Sequence, residues 1–167
     1  FAQKYLKNEL EKENEYWIKN GGYGGKATVK SYMGREELLA SHVAWLDTLP
    51  VFAEFAELQD IRGRHLFITH GFGLPYYKRR VFADNEESIR TAFLWNRVGN
   101  PYGYEWEDVS EYTHIVNVFG HDTFEKPLIE HNHIGIDTGC GYGKKLTALR
   151  FPQMEFFDQE VVKGDIS

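Results

Sequence analysis

Two histidines in this sequence close apolar runs and sit beside glycine: Leu66-Phe67-Ile68-Thr69 leads into His70-Gly71, and Ile115-Val116-Asn117-Val118-Phe119 leads into Gly120-His121. An apolar run ending in a glycine turn is how a buried strand delivers one side chain to the open end of a sheet. Neutral imidazole is a common ligand for divalent transition metals, and strand ends hold ligands better than loose loops do. Either histidine alone reads more simply as a satisfied polar residue at a strand end. The pair, each with a glycine that would let backbone and solvent approach an ion, points to metal binding.

Two further stretches carry chemistry. Arg97, in Trp95-Asn96-Arg97, presents a planar fork suited to two phosphate oxygens, although a surface arginine bonded to a carbonyl is the plainer reading of it alone. Ile136-Asp137-Thr138-Gly139-Cys140-Gly141-Tyr142-Gly143 runs from a strand into a turn with three glycines, and by itself reads as a hairpin turn before a strand at Leu146.

The elements that must position these groups follow from periodicity. A helix is expected from Phe1 to about Lys19, with Phe1, Tyr5, Leu6, Leu10 and Trp17 near one stripe. Asn20-Gly21-Gly22 stops it, and Gly24-Gly25 keeps the next segment irregular. A second helix is expected over Arg35 to Leu46, on a stripe of Leu38, Leu39, His42, Trp45 and Leu46, closed by Leu49-Pro50. Then the period changes. Val51 to Leu58 and Arg64 to Thr69 read as a hairpin about Asp60-Ile61-Arg62-Gly63. A helix from Glu86 to about Trp95 precedes a loop at Gly99-Asn100-Pro101 and Gly103. Strands are expected at Ile115 to Phe119, His133 to Asp137, Leu146 to Phe151 and Glu155 to Val162. The order predicts a mixed α/β layer structure without internal repeats.

Composition bounds the partners. The 167 residues, 42% hydrophobic and 16% aromatic, suffice for one ordinary core, so one domain over 1–167 is the default. A net charge of −6, with 19 basic against 25 acidic residues, argues against a general nucleic-acid surface. Lys78-Arg79-Arg80 and Lys144-Lys145 read as solvated faces. Cys140 alone permits no intramolecular disulfide, which suggests a reducing, cytoplasmic setting, and no apolar run approaches the roughly 20 residues that span a bilayer.

Together, "THG" at Thr69, "WNR" at Trp95, "VFGH" at Val118 and "IDTGCGYGKKLTALRFP" from Ile136 to Pro152 resemble the calcineurin-like metallophosphoesterases. The bacterial and phage serine/threonine protein phosphatase group and the related dinucleoside tetraphosphatases are the nearest branches, and "WIKNGG" at Trp17 and "LPVFAEF" at Leu49 extend the likeness over nearly the whole chain. The resemblance implies an α-β-β-α sandwich with mixed sheets. It also implies His70 and His121 as ligands of the second of two divalent ions, manganese foremost, with iron, zinc or nickel as alternatives. Arg97 would grip the substrate phosphate, Asp137 would line the pocket, and Tyr142 would approach the phosphate or pack against its loop. His121 is followed by Asp122-Thr123 where the family has Thr-Pro, so Asp122 either orients an imidazole or caps a turn.

The family's "GDxHG", "GDxxDRG" and "GNHE" motifs are not found in these residues. The chain is therefore expected to be the carboxy-terminal part of a metallophosphoesterase domain, inactive by itself, because two imidazoles without bridging carboxylates do not hold two ions. In the complete protein the expected reaction is metal-assisted phosphate-ester hydrolysis, first of protein phosphoserine and phosphothreonine. A dinucleoside polyphosphate is the alternative substrate, and a non-catalytic module that keeps the fold is the alternative class. A sheet lacking its first strands would expose an edge, favouring association into oligomers.

Overall fold

The computed structural model describes residues 24–99 and 107–162; the helix expected over Phe1 to Lys19 and most of the loop beyond Gly99 lie outside them. Contacts divide the chain between Leu49 and Pro50.

In the first unit, helix α1 (Gly25–Ser31) occupies the stretch expected to be irregular. Gly24 absorbs the break by itself: it takes a left-handed conformation (φ 75°) just ahead of the helix, and Thr28 Oγ1 donates back to its carbonyl at 3.1 Å. Helix α2 (Glu36–Leu46) forms as expected, but the residues it buries are Leu39 and Val43, one turn apart, while Leu38, Trp45 and Leu46 are exposed. His42, placed on the expected apolar stripe, instead meets the Tyr32 hydroxyl through Nδ1 at 2.6 Å.

The second unit is built on a mixed five-stranded sheet. Its strands are β1 (Phe52–Gln59), β2 (His65–Thr69), β3 (Ile115–Phe119), β4 (Leu128–Ile129) and β5 (His133–Gly135), in the spatial order β1-β2-β3-β5-β4. β1–β2 is the antiparallel hairpin predicted by the sequence, and Asp60 ties its turn by accepting from the Arg62 and Arg64 amides at 2.9 and 3.0 Å and from the Arg64 guanidinium. β2–β3 and β3–β5 are parallel, whereas β4–β5 is antiparallel. A separate antiparallel pair, β6 (Lys145–Arg150) with β7 (Glu155–Glu160), follows.

The layers follow from strand alternation. Phe67 and Ile115 face one side, where they pack with Ile89, Ala92 and Phe93 of helix α3 (Glu87–Trp95) and with a 3-10 segment, Leu74–Phe82. Leu66, Val116, Val118 and Ile134 face the other side, where Leu149 and Phe156 of the β6–β7 pair cover them. The second unit is thus mixed α/β, as the sequence predicts: a helical layer against a mixed sheet against a two-stranded sheet, three of the four layers of the expected α-β-β-α order.

The 3-10 segment and β4 were not expected. The 3-10 segment buries Leu74 to Tyr77, and Arg80 then bonds Glu54 of β1 at 2.8 Å while stacking over the Tyr77 ring. The Lys78-Arg79-Arg80 cluster is accounted for residue by residue, by Glu111, Glu86 and Glu54. Among the described residues no helix is long and apolar enough to cross a membrane.

Candidate metal and phosphate site

Three adjacent parallel strands deliver polar side chains to one sheet edge. Ile68 of β2 is in register with Val118 of β3, and Phe119 of β3 with Gly135 of β5, so the residues after each strand emerge together. These are His70, His121 and Asp137. The C-terminal ends of parallel strands are the usual place for a ligand in such a sheet. The Gly120 amide donates to the His70 carbonyl at 2.9 Å, which carries the β2–β3 ladder one step past both strands.

The two imidazoles meet as the sequence predicts, with ring centroids 5.2 Å apart. His121 holds a left-handed backbone (φ 65°), an uncommon conformation for a residue with a side chain. Its Nε2 is buried and has no hydrogen-bond partner among the described residues, and the Trp95 ring stands edge-on to the imidazole, centroids 5.3 Å apart. Burial first, then the charges of Arg97 and His70, push the His121 imidazole below its ordinary range against the opposing pull of Asp122 and Asp137. A neutral ring with a bare, buried nitrogen is what a metal ligand requires before it binds, since such an atom otherwise stays unsatisfied. The two imidazoles therefore fit part of a divalent-ion site. Among the described residues no group of three or more His, Cys, Asp or Glu gathers to complete it.

Gly71 and Gly73, on the loop after His70, are required by packing. A Cβ on Gly71 would lie 2.8 Å from the Asn96 carbonyl oxygen, and one on Gly73 would strike Thr69 and Phe93. They permit close packing of the loop on the end of α3. The Gly71 amide donates to the Phe93 carbonyl at 2.7 Å and the Phe72 amide to that of Asn96 at 2.9 Å. From the other side Asn117, fully buried in β3, accepts from the Gly73 and Leu74 amides and donates to Thr69 Oγ1. Periodicity hid this residue inside an apolar run.

Arg97 and Asp122 pair beside the histidines, Nη1 to Oδ1 at 3.4 Å, and Asp122 Oδ2 accepts from the Val98 amide at 3.2 Å. Asp122 is thus bonded to the Arg97-Val98 segment. Asp137 accepts from the Gly139 amide at 2.9 Å and, with His70, lines a cleft of about 270 Å³. Thr138 of the "DTG" turn lines the same cleft, and so do Lys145 and Thr147, which the sequence did not place there. Their only signal was membership of the "DTG…KKLT" run, where Lys144-Lys145 reads as solvated surface; Lys145 in fact pairs with Asp158 at 2.5 Å. Tyr142 stands apart from the cleft lining, 80% exposed, at the end of the short turn Cys140–Tyr142.

No protein-family profile matches the chain. Over 105 residues it is 51% identical to the asymmetrical bis(5'-nucleosyl)-tetraphosphatase PrpE of Oceanobacillus iheyensis, covering 58% of this chain and 39% of that protein. The enzyme of the same name from a Geobacillus species is 31% identical over 108 residues, 60% of this chain and 41% of its own. That of Bacillus cereus strain Q1 is 37% identical over 100 residues, 55% and 38%. These matches span about two fifths of the relatives' length. By name these relatives act on bis(5'-nucleosyl) tetraphosphates.

Proposed function

We propose that a protein containing these residues is a metal-dependent phosphoester hydrolase acting on dinucleoside polyphosphates, the chain being the carboxy-terminal part of its catalytic domain. The observation that carries the reading is the convergence of His70 and the bare, buried Nε2 of His121 at one sheet edge, with Arg97 alongside. The names of the partial relatives support a dinucleoside tetraphosphate over a phosphoprotein as substrate.

In this reading His70 and His121 supply two neutral nitrogen donors, and other residues of the protein supply the carboxylates. Divalent ions, when bound, polarise the phosphoryl group. Arg97 neutralises charge on the phosphate oxygens, a fork-shaped cation meeting two anionic oxygens. Asp137, held by the Gly139 amide, fixes the wall of the cleft beside His70.

The test is an assay of the full-length protein with diadenosine tetraphosphate and, separately, a phosphoserine peptide, each with and without Mn2+. The reading expects metal-dependent release of a nucleoside triphosphate and a monophosphate, with little phosphate from the peptide. Efficient peptide dephosphorylation with an inert dinucleotide would overturn it, and inertness towards both would favour a non-catalytic module.

A further inference from the structure

The Arg97 and Asp122 side chains are 46% and 20% exposed, and their 3.4 Å separation is long for a charge-assisted bond, which normally falls near 2.7 to 2.9 Å. One oxygen of Asp122 is fixed by the Val98 amide while the other faces the guanidinium. Asp122 thus offers the guanidinium one anionic oxygen where a phosphate would present two. We propose that Asp122 is an internal rival for phosphate on Arg97, so that binding exchanges one anionic partner for another and Asp122 sets the affinity of the site. The inference rests on the reading of Arg97 as the phosphate-gripping residue.

The expected effect is modest. An exposed, loose ion pair is worth at most about fivefold in an equilibrium constant. Removing the charge of Asp122 should therefore tighten phosphate binding by about two- to fivefold, the reciprocal of the fraction of time for which the guanidinium is free of its rival. Asp122→Asn keeps an oxygen acceptor for the Val98 amide, so the local backbone retains its bond. Asp122→Thr removes the charge with a different side chain and checks that the effect belongs to the carboxylate.

Inorganic phosphate binding to the full-length protein in Mn2+ buffer, measured by titration calorimetry, decides the matter across wild type, Asp122→Asn, Asp122→Thr, Arg97→Ala and the double variant Arg97→Ala with Asp122→Asn. The expected result is tighter binding in both Asp122 variants, weaker binding in Arg97→Ala, and no gain from Asp122→Asn once Arg97 is absent. Persistence of the gain in the double variant would reduce Asp122 to simple repulsion and overturn the rivalry. Unchanged or weaker binding in both Asp122 variants, with Arg97→Ala still weakened, overturns this inference but leaves Arg97 as a phosphate ligand. Unchanged binding in Arg97→Ala overturns the role of Arg97 and the inference with it.

Discussion

Asn117 Oδ1 lies 3.2 Å from the Gly73 amide nitrogen and accepts its hydrogen, so a side chain at the centre of β3 fixes the backbone just beyond His70. The same oxygen accepts from Leu74, and the amide group donates to the Phe67 carbonyl and Thr69 Oγ1. The loop carrying one candidate ligand is thus held by the strand that leads to the other.

Asn117→Leu, with the same number and branching of side-chain heavy atoms, leaves the Gly73 and Leu74 amides without their acceptor in a buried site. Each such group costs about 1 to 3 kcal/mol, so the variant should lose about 3 kcal/mol. Urea unfolding measures it, and a loss below about 1 kcal/mol would show that the loop finds other partners.

Gly71→Ala and Gly120→Ala separate packing from ligand access. An added Cβ at Gly71 meets Asn96 backbone atoms at 2.8 and 2.9 Å, whereas at Gly120 it makes ordinary contacts of 3.7 Å. The first substitution should cost about 2 kcal/mol or more and the second under about 0.5. Thermal unfolding of the two side by side gives the comparison, and equal costs would refute the steric account.

The left-handed backbone at His121 predicts an ordering among its variants. His121→Gly should be more stable than His121→Ala by about 1 kcal/mol, since glycine adopts this conformation without a steric cost. Both should bind Mn2+ about tenfold or more weakly in the full-length protein. Calorimetry of unfolding and of metal binding tests the two halves separately; an alanine variant as stable as the glycine one removes the strain, and undiminished Mn2+ binding removes the ligand.

Glu54 predicts a pH dependence. Burial pushes its carboxyl up, but hydrogen bonds from Tyr77, Arg80 and His65, with the Arg80 charge, outweigh burial and hold it below its ordinary range. A carboxyl lower in the folded than in the unfolded chain stabilises the fold fully above the unfolded value, ordinarily about 4.3, and that contribution is lost as the pH falls through the folded value. Glu54→Gln should therefore flatten the fall in stability below about pH 5 relative to wild type. Parallel stability curves for the two proteins over pH 3 to 6 would contradict this.

Much of this was legible in the sequence because strands β2 and β3 are largely apolar runs, and β1 a run of apolar pairs broken by Glu54 and Glu57, bounded by turn residues. Ile115–Phe119 has the bounds that its composition predicts. The meeting of His70 and His121 was legible for the same reason, since two runs ending alike imply two neighbouring strand ends. What escaped depends on tertiary partners. The burial of Val43 in place of Leu38, Trp45 and Leu46, the 3-10 segment tied by Arg80 to Glu54, and the hold of Asn117 on Gly73 are all features that no local period encodes. The partner of Arg97 escaped likewise, because Asp122 reads equally well as a turn cap.

The parallel register of β2 and β3 turns the strand spacing of a sheet, roughly 4.8 Å in any protein, into a ruler for the distance between His70 and His121. Substitutions elsewhere in the fold have little leverage on that distance, because changing it means breaking a ladder that runs on through the Gly120 amide to the His70 carbonyl. Evolutionary tuning of this edge would therefore act through side chains that no ladder fixes, and the loosely held pair of Arg97 and Asp122 is the adjustable part of an otherwise rigid gauge.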